Sequence, residues 1–335
     1  MAAAVSYPVR APQWVLTYQG VNITADISPM VLAITYVDRL DNASGEVEVE
    51  LEDHAKRWQG PWYPALGDMV SLQLGYRGEQ LLNCGDFQVD EIELDSPPDA
   101  MRLRCLAAYV TPAMRTVNTA AYENQSLVEI AGGIAAKYGL ELVAAPQAGE
   151  GDIAFARVTQ RCETDLEFLK RLANQYDFDF TVRGQQLVFY SRAPLEAALP
   201  VRAIGRADTE HVAFRNRTRR IYNGAQVSYF SPQTKQLISQ SVSAPAPTGD
   251  TLKIVGRVES AQQAAARAAA ALHLHNMLFV EAAVEGPGMP VAVAGNVVQL
   301  NGWGALDGLY LIDTARHHVG RATGYTTAYS ARRVE

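Results

Sequence analysis

The sequence predicts an α+β protein, mainly β, in which two similar β-domains flank a smaller α+β domain. Three observations lead to this prediction. Apolar and polar residues alternate over most of residues 14–109, helix signals appear within residues 111–205, and a short pattern from the first region recurs in the last. A chain of 335 residues is long enough for two or three domains that each bury a core. We place the predicted domains at residues 1–110, 111–205 and 206–335.

The first domain is predicted from its alternating segments. Acidic and apolar residues alternate through Glu46–Leu51, and similar alternation marks Val70–Leu74 and Phe87–Leu94. Short alternating runs divided by Gly, Asp and Pro are typical of antiparallel strands with one face in the core and the other in solvent. We therefore expect a β-barrel or a β-sandwich, with the acids on its solvent-facing side.

The middle domain combines helices with a hairpin. Two capping boxes are present, each a hydroxyl residue followed three positions later by Glu: Ser126 with Glu129, and Thr164 with Glu167. Apolar residues recur at helical spacing after each box, and Gly139 is suited to end the first helix. Alternation on both sides of Gly184 predicts a β-hairpin over residues 178–190.

The last domain returns to strands from about Val212. Ser260 is placed to cap an alanine-rich helix, and strands are expected again around Val297, Tyr310 and Tyr325. A loop is predicted at Pro245, Pro247 and Gly249.

One internal match relates the outer domains to each other. The segment that starts at Gly67 has the sequence GDMVSL, and the segment that starts at Gly295 has GNVVQL. GDFQVD follows the first segment from Gly85, and GLYLID follows the second from Gly308. Each half alone is ordinary turn and strand chemistry, but two halves repeated in the same order indicate a duplicated β-domain.

The negative charge lies mainly in one region. The formal net charge is −7, yet residues 26–100 hold 16 acidic and 4 basic side chains, a difference of −12. The 19% charged and 48% apolar composition is that of a globular chain, which excludes a disordered or collagen-like protein. A pI near 5.5 argues against general nucleic-acid binding, because attraction to phosphates needs a basic face.

The cysteines and the N-terminus indicate a soluble protein made in a reducing cytoplasm. Cys84, Cys105 and Cys162 cannot pair completely and lack C-x-x-C spacing, so we expect plain buried thiols. The first ten residues lack the charged and apolar segments of a signal peptide, and no apolar run is long enough for a membrane span.

No candidate catalytic, cofactor-binding or metal-ligating residues emerge. His273 and His275 are two positions apart in a predicted helix and point about 200° apart, so they cannot share a metal ion from that helix. His317 and His318 adjoin on a predicted strand and should face opposite sides. We predict no enzyme. The alternatives are a cell-wall hydrolase, for which the acids single out no pair, and a monomeric ligand-binding β module.

An arginine run marks the start of the last domain. Two interpretations remain open: pairing with an acidic surface on another subunit, or a solvated edge. The run comprises Arg202, Arg206, Arg215, Arg217, Arg219 and Arg220.

The order and spacing of several segments resemble the late control gene D family of tailed phages, whose members are baseplate hub proteins related to the hub part of type VI secretion spike proteins. The likeness extends over roughly residues 14–334. It is carried by Gly67-Asp68, Leu72–Tyr76, Gly85–Phe87, Tyr122–Leu127, Glu163–Leu172, Gly295-Asn296, Gly308–Tyr310, the His317 region and Gly324–Thr327. The family has one His before the last of these segments, and either His317 or His318 can match it.

The resemblance implies a structural protein that performs no covalent step and needs no cofactor. It implies two barrels of the tail-tube type per chain and a homotrimeric ring, so that six similar domains meet a sixfold tube on one side and a threefold spike on the other. The implied partners are the spike, the tail tube or tube initiator, a small LysM-type tail protein, baseplate wedge proteins and the tape measure protein. The implied location is the baseplate of a phage, a headless bacteriocin or another injection device, assembled in the bacterial cytoplasm.

The acidic region suggests a role within such a ring. We expect many of the 16 acids of residues 26–100 to face the lumen or an exposed rim, where a negative wall would repel DNA or an acidic tape-measure segment. DNA would then pass the protein without being stably bound.

Overall fold

The computed structural model describes seven stretches of the chain: residues 10–40, 45–108, 112–145, 152–217, 221–231, 235–244 and 250–334. The predicted loop at Pro245, Pro247 and Gly249 lies outside the described residues, as do Arg219 and Arg220. Within the described residues, no helix has both the length and the apolar character needed to span a membrane.

The regular elements of the described residues up to 108 are strands apart from one short helix, as the alternation predicts. In chain order the elements are β1 (Pro12–Tyr18), β2 (Val21–Asn22), α1 (Thr24–Ile27), β3 (Val31–Arg39), β4 (Glu46–Glu52), β5 (Met69–Tyr76), β6 (Leu82–Asp95) and β7 (Ala100–Ala107).

The next part mixes helices and strands, and both predicted capping boxes are confirmed. Ser126 Oγ accepts the N–H of Glu129 while the Glu129 carboxylate accepts the N–H of Ser126, and Thr164 and Glu167 repeat this arrangement. The hairpin over residues 178–190 is also confirmed. The elements are β8 (Val117–Ser126), α2 (Leu127–Lys137), β9 (Glu141–Ala145), β10 (Ala154–Thr164), α3 (Asp165–Gln175), β11 (Phe178–Arg183), β12 (Gln186–Ser191) and α4 (Ala193–Glu196).

The remaining described residues return to strands, with one long helix that Ser260 caps as predicted. The elements are β13 (Arg202–Gly205), β14 (His211–Asn216), β15 (Gly224–Ser231), β16 (Gln236–Ser243), β17 (Thr251–Val255), α5 (Ala261–Asn276), β18 (Val280–Pro287), β19 (Val297–Asn301), β20 (Gly308–Gly320) and β21 (Gly324–Val334). Strands β15–β17 form a small sheet of their own, on which α5 packs.

Two sets of five strands in the largest sheet have the same topology. The spatial order is β5-β6-β7-β4-β3 in the first set and β19-β20-β21-β18-β14 in the second, and all neighbours are antiparallel. When the strands of each set are numbered along the chain, both orders read 3-4-5-2-1. We call these sets the first and second β-unit. The sequence repeat therefore corresponds to a repeat of strand pairing.

The repeated motif has the same structural role in both units. Gly67 precedes β5 with a φ of +88°, and Gly295 precedes β19 with a φ of +90°. Such values favour glycine because it has no Cβ. The Asp that ends each motif, Asp90 or Asp313, lies where the register with the following strand shifts by one residue, which marks a β-bulge.

The expected closed barrels are wrong for the described strands. Closure of a barrel requires the two outer strands of a unit to pair with each other. Instead, β3 of the first unit pairs with β20 of the second, over the register from Arg39 opposite Thr314 to Ala33 opposite Gly320. The two units therefore share one open sheet of 13 strands, in which β1 and β2 extend the first unit and β13 extends the second.

Each part of the fold has its own apolar core. The first unit packs around residues such as Leu72, Phe87 and Cys105, the second around Leu300, Tyr310 and Ala331, and the middle part around Leu127, Phe168 and Phe189. Buried apolar area of this kind contributes roughly 25 cal/mol per Å².

Candidate assembly interface

The junction between the two β-units is a stacked pair of rings. Tyr36 of β3 and His317 of β20 lie directly opposite each other in the strand pairing, with ring centroids 5.9 Å apart and planes inclined by 16°. On the other side of the same two strands, the Thr35 hydroxyl lies 3.0 Å from Nδ1 of His318. His317 is fully buried and His318 is partly exposed, so the prediction that they face opposite sides is confirmed.

The His317 ring is held from both of its nitrogens. Its Nδ1 lies 2.8 Å from the Tyr325 hydroxyl, and its Nε2 lies 3.0 Å from the carbonyl oxygen of Ala292. A neutral imidazole can satisfy both contacts, because it donates from Nε2 and accepts at Nδ1. Burial lowers the pKa of His317 to about 4, which keeps the ring neutral at physiological pH. His317 is not placed to bind a metal ion in this arrangement, since both of its ring nitrogens already have protein partners.

The middle part of the chain also reaches this junction. Asp38 of β3 is buried, and one of its carboxylate oxygens accepts the N–H of Ala294 at 3.0 Å. Arg183 of β11 approaches the other oxygen at 3.7 Å. Burial raises the pKa of Asp38, and the Arg183 guanidinium opposes that increase. The first unit, the second unit and the middle part of the chain therefore all contribute contacts to the junction.

A second aromatic arrangement repeats in both units. Tyr36 meets Phe87 with ring centroids 6.0 Å apart, and Phe214 meets Tyr310 at the same distance. Phe87 and Tyr310 occupy the same motif position, and Tyr36 and Phe214 occupy the same position on the first strand of their units. The units thus match at the level of individual side chains. Among the described residues, no strand pairs with the outer edge of β14, the strand that carries Phe214.

The solvent face of the first unit carries alternating charges. Five carboxylates surround the guanidinium groups of Arg102 and Arg104 on β7. Arg102 lies 2.6 Å from Glu93 and within 3.6 Å of Glu48 and Glu50, and Arg104 lies 2.6 Å from Glu46 and 3.6 Å from Glu91. The face remains negative overall, but these two arginines offset part of the acidity assigned to residues 26–100.

An ion network connects the middle part to the second unit. His273 of α5 lies between two carboxylates, with Nδ1 2.7 Å from Asp177 and Nε2 3.0 Å from Glu196. Glu196 also accepts from Arg332 of β21 at 2.9 Å, and Arg332 binds Asp313 as well. Hydrogen bonds to both carboxylates raise the pKa of His273 to about 9, so it is protonated at neutral pH.

The structure disperses the other residues that the sequence singled out. His275 packs edge-on against Tyr222, with ring centroids 5.2 Å apart, on a different side of α5 from His273. Cys84 and Cys105 are buried as expected, but Cys162 is exposed at a bulge in β10 and corrects the prediction of three buried thiols. Burial raises the pKa of the Cys105 thiol to about 12.

The arginine run does not form one patch in the described residues. Arg206 donates to the carbonyl oxygen of Gly302 at 2.7 Å, and Arg202 lies 4.0 Å from Asp208. Arg215 lies on the outer edge strand β14 instead, and Arg217 directly follows that strand and binds Glu281. Sequence reasoning missed this division, because it depends on which edge of the sheet β14 occupies.

Comparison with known protein families identifies the family of this chain. Residues 92–323, more than half of the chain, match the model of the phage tail baseplate hub (GPD) family. The chain belongs to the GPD family. The resemblance noted in the sequence is thereby confirmed, and the second β-unit, the middle part and the end of the first unit all lie within or overlap the matched range.

Two curated relatives of this GPD chain are phage proteins. It is 25% identical over 236 residues to the probable baseplate hub protein of Escherichia phage 186, and 26% identical over 222 residues to that of Escherichia phage P2. These alignments cover 69% and 65% of this chain, but 59% and 56% of the relatives. The GPD chain therefore spans less than two thirds of the length of either relative.

Solved structures with the same fold come from several bacteria. The 43 kDa tail protein of prophage MuSo2 from Shewanella oneidensis has a TM-score of 0.67 at 18% identity, and the match covers 96% of the GPD chain and 97% of that protein. A tail protein from Neisseria meningitidis has a TM-score of 0.71 at 11% identity, with 96% of each chain covered. An Escherichia coli component of the type VI secretion system has a TM-score of 0.59 at 12% identity, with 96% and 77% covered. These similarities show the fold.

Proposed function

We propose that this GPD chain is the central hub of a baseplate in a phage tail or a tail-like particle. In this proposal three copies form a ring that encloses the central channel and joins a threefold spike to a sixfold tail tube. The chain acts by assembly geometry and performs no covalent step. Its working location is the baseplate, and assembly takes place in the bacterial cytoplasm.

The observation that carries the proposal is the repeated five-strand unit. One chain holds two units of the same topology, joined edge to edge through β3 and β20. Three such chains supply six similar units, so a ring with exact threefold symmetry also presents approximate sixfold symmetry. That property is what a part between a threefold and a sixfold assembly requires. We propose the domain boundaries at residues 110 and 205 on the same basis.

The proposed partners follow from family membership. They are the spike protein, the tail tube or tube initiator, a small LysM-type tail protein, baseplate wedge proteins and the tape measure protein. The probable baseplate hub proteins of phages 186 and P2 support this setting.

We assign the acidic face of the first unit to the channel wall or its rim. Five carboxylates against two guanidinium groups leave this face negative, although partial burial raises the pKa of Glu48. A negative wall would repel DNA and acidic polypeptide segments that pass along the channel. A cryo-EM map of the assembled particle with a neutral or basic channel wall would contradict this assignment.

Light scattering of the purified protein tests the ring directly. The expected mass is three times the 36.5 kDa of the chain, and the expected pull-down partner is the spike protein of the same particle. A stable monomer that retains no spike would overturn the proposal. Zymography on peptidoglycan tests the absence of a covalent step: lysis that one Asp or Glu substitution abolishes would identify a hydrolase instead.

A further inference from the structure

Two strand edges of this chain remain unpaired among the described residues. Strand β14 hydrogen-bonds to β18 on one side and to no strand on the other, and residues 91–95 of β6 pair with β7 alone. Unpaired edges of this kind are templates for a strand from another chain. Six strands lie between β14 and β6 in the sheet order, and both edges stay open within one chain.

The repeat shows that these two edges correspond to the pair that joins the units. Strand β14 holds the place in the second unit that β3 holds in the first. Residues 91–95 of β6 follow the bulge at Asp90, just as residues 314–318 of β20 follow the bulge at Asp313. Within the chain, β3 pairs with that part of β20. The corresponding pair, β14 with residues 91–95 of β6, is missing.

We propose that β14 of one copy pairs in antiparallel fashion with residues 91–95 of β6 in a second copy. The register is the one that β3 and β20 adopt, and it places Arg217 opposite Glu91, Arg215 opposite Glu93 and Phe214 opposite Leu94. The pairing is head to tail, so each copy offers β14 to one neighbour and β6 to the other. Only the closure of this arrangement at three copies rests on the proposed function.

Charge complementarity supports the second copy as the occupant. Across the first unit, Glu50, Arg102 and Glu93 lie side by side on neighbouring strands, and across the edge of the second unit Arg215 lies beside Glu281. When the two edges join in the proposed register, the signs alternate over all five strands. Opposite charges in directly opposed positions stabilise a strand pair, whereas like charges destabilise it.

The other face of the two edges supports the same register. Phe214 would take the position of Tyr36, and Leu94 the position of His317. Leu94 is 42% exposed in the single chain, so its contact with Phe214 would bury apolar surface. A slip of two residues in one direction would leave Phe214 opposite Ser96. A slip in the other direction would place Phe214 opposite Ile92 but would leave Arg217 opposite Val89. The apolar pair and the charge pairs together therefore select one register.

Arg217 provides a separate indication. Its guanidinium binds Glu281 of its own chain, but its Nε is buried and has no hydrogen-bond partner among the described residues. A buried guanidinium N–H without a partner is costly, and a shift of the Arg217 side chain towards a carboxylate on a neighbouring strand would satisfy it. Glu91, which the register places opposite Arg217, is 62% exposed at its side chain and lies 3.6 Å from Arg104.

Disulfide trapping tests the register. In a Cys162→Ser background, which removes the exposed native thiol, the full chain with Glu93→Cys and Arg215→Cys should form cross-links between copies under mild oxidation. The matched control is Val37→Cys with Arg316→Cys, the equivalent pair within one chain. It should form a disulfide inside each chain and leave the mass of a single chain on a non-reducing gel. Glu91→Cys with Arg215→Cys, two residues out of register, should cross-link at least tenfold more slowly.

The outcomes separate this inference from the proposed function. A trimer by light scattering without cross-links from Glu93→Cys with Arg215→Cys, while the Val37→Cys and Arg316→Cys control succeeds, overturns the strand pairing and leaves the hub intact. Faster trapping by the out-of-register pair overturns the register. Cross-links that extend beyond three copies into a ladder support the strand pairing and overturn the trimer.

Charge reversal gives a second readout. Arg215→Glu with Arg217→Glu should reduce the assembled fraction at micromolar concentration at least tenfold, with an unchanged circular dichroism spectrum. Arg202→Glu, an exposed arginine away from β14, serves as the control and should leave assembly unchanged. Equal assembly of the double variant and the control would overturn the proposal.

Discussion

The phenol ring of Tyr36 lies nearly parallel to the imidazole of His317, with ring centroids 5.9 Å apart, where the first β-unit pairs with the second. Each ring also contacts a further aromatic residue: Tyr36 packs against Phe87, and His317 contacts the hydroxyl of Tyr325. The pair therefore lies at the core of the first unit, which crosses the junction because it includes Val319 of β20 and Tyr325 of β21. This arrangement makes the junction a sensitive place to test the fold.

Tyr36→Ala should destabilise the protein by about 3–5 kcal/mol, because it removes a buried ring from between the two units and leaves a cavity. Urea unfolding monitored by tryptophan fluorescence measures the loss. Tyr36→Phe keeps the ring and should cost less than about 1.5 kcal/mol. A loss below about 1 kcal/mol for Tyr36→Ala would show that the units are held together elsewhere.

His317 should make the protein less stable in mild acid. Its pKa is lowered by burial to about 4 in the folded chain, whereas an exposed His titrates near 6.5. Between these values the unfolded chain binds the proton more readily, so the free energy of unfolding falls as the pH drops from about 6.5 towards 4, by up to roughly 3 kcal/mol.

His317→Gln removes this titration, and its free energy of unfolding should depend less on pH than that of the wild type over the same range. Urea midpoints at pH 7 and pH 5 measure the difference. His211→Gln, an exposed position on β14, should keep the pH dependence of the wild type. Parallel curves for wild type and His317→Gln would contradict the neutral buried imidazole.

His273 should stabilise the protein in the opposite pH range. Its pKa is raised to about 9 by Asp177 and Glu196, so its contribution is fully present below about 6.5 and is lost as the pH rises through 9. His273→Gln should therefore be less stable than the wild type by roughly 2–3 kcal/mol at pH 6.5, and the two proteins should converge near pH 10. Thermal unfolding at both pH values tests this, and a gap that widens above pH 9 would refute the assignment.

Gly288 should tolerate no side chain. A Cβ at this position would lie 2.1 Å from the Tyr325 ring, which packs beside Tyr76 and His317. Gly288→Ala should cost at least about 3 kcal/mol through displaced core rings. Gly133 in α2 is the matched control, because a Cβ there meets no atom within 4 Å and a helix favours Ala over Gly by about 0.5–1 kcal/mol. Equal stability of the two variants would argue against the packing at Tyr325.

Local patterns in the sequence predicted most of the elements that have one buried and one exposed face. Strand β4 alternates through Glu46–Leu51 because its acids contact solvent and its apolar residues contact the core. The capping boxes at Ser126 and Thr164 predicted the starts of α2 and α3 because they act within one helical turn. The repeated Gly motif predicted equivalent strands for a similar reason, since it specifies a turn and the strand beside it.

Contacts between distant segments could not be predicted in this way. Nothing local to Tyr36 specifies His317, and the pairing of β3 with β20 replaces the barrel closure that the alternation suggested. The net charge of residues 26–100 overstates the acidity of the first unit, because Arg102 and Arg104 lie just beyond that range and pair with its carboxylates from β7. His273 was set aside as a metal ligand, but its partners Asp177 and Glu196 come from the middle part of the chain and left no trace near it in the sequence.

The opposite charges of the two open edges also disfavour pairing between two identical edges. If two copies of β14 met edge to edge, Arg215 and Arg217 would face arginines, and if two copies of the β6 edge met, Glu91 and Glu93 would face carboxylates. In the proposed strand pairing only unlike edges attract, which disfavours twofold dimers through two identical edges and makes each copy join the next in one direction. In the proposed ring, these two short rows of charge would therefore set the direction in which copies are added.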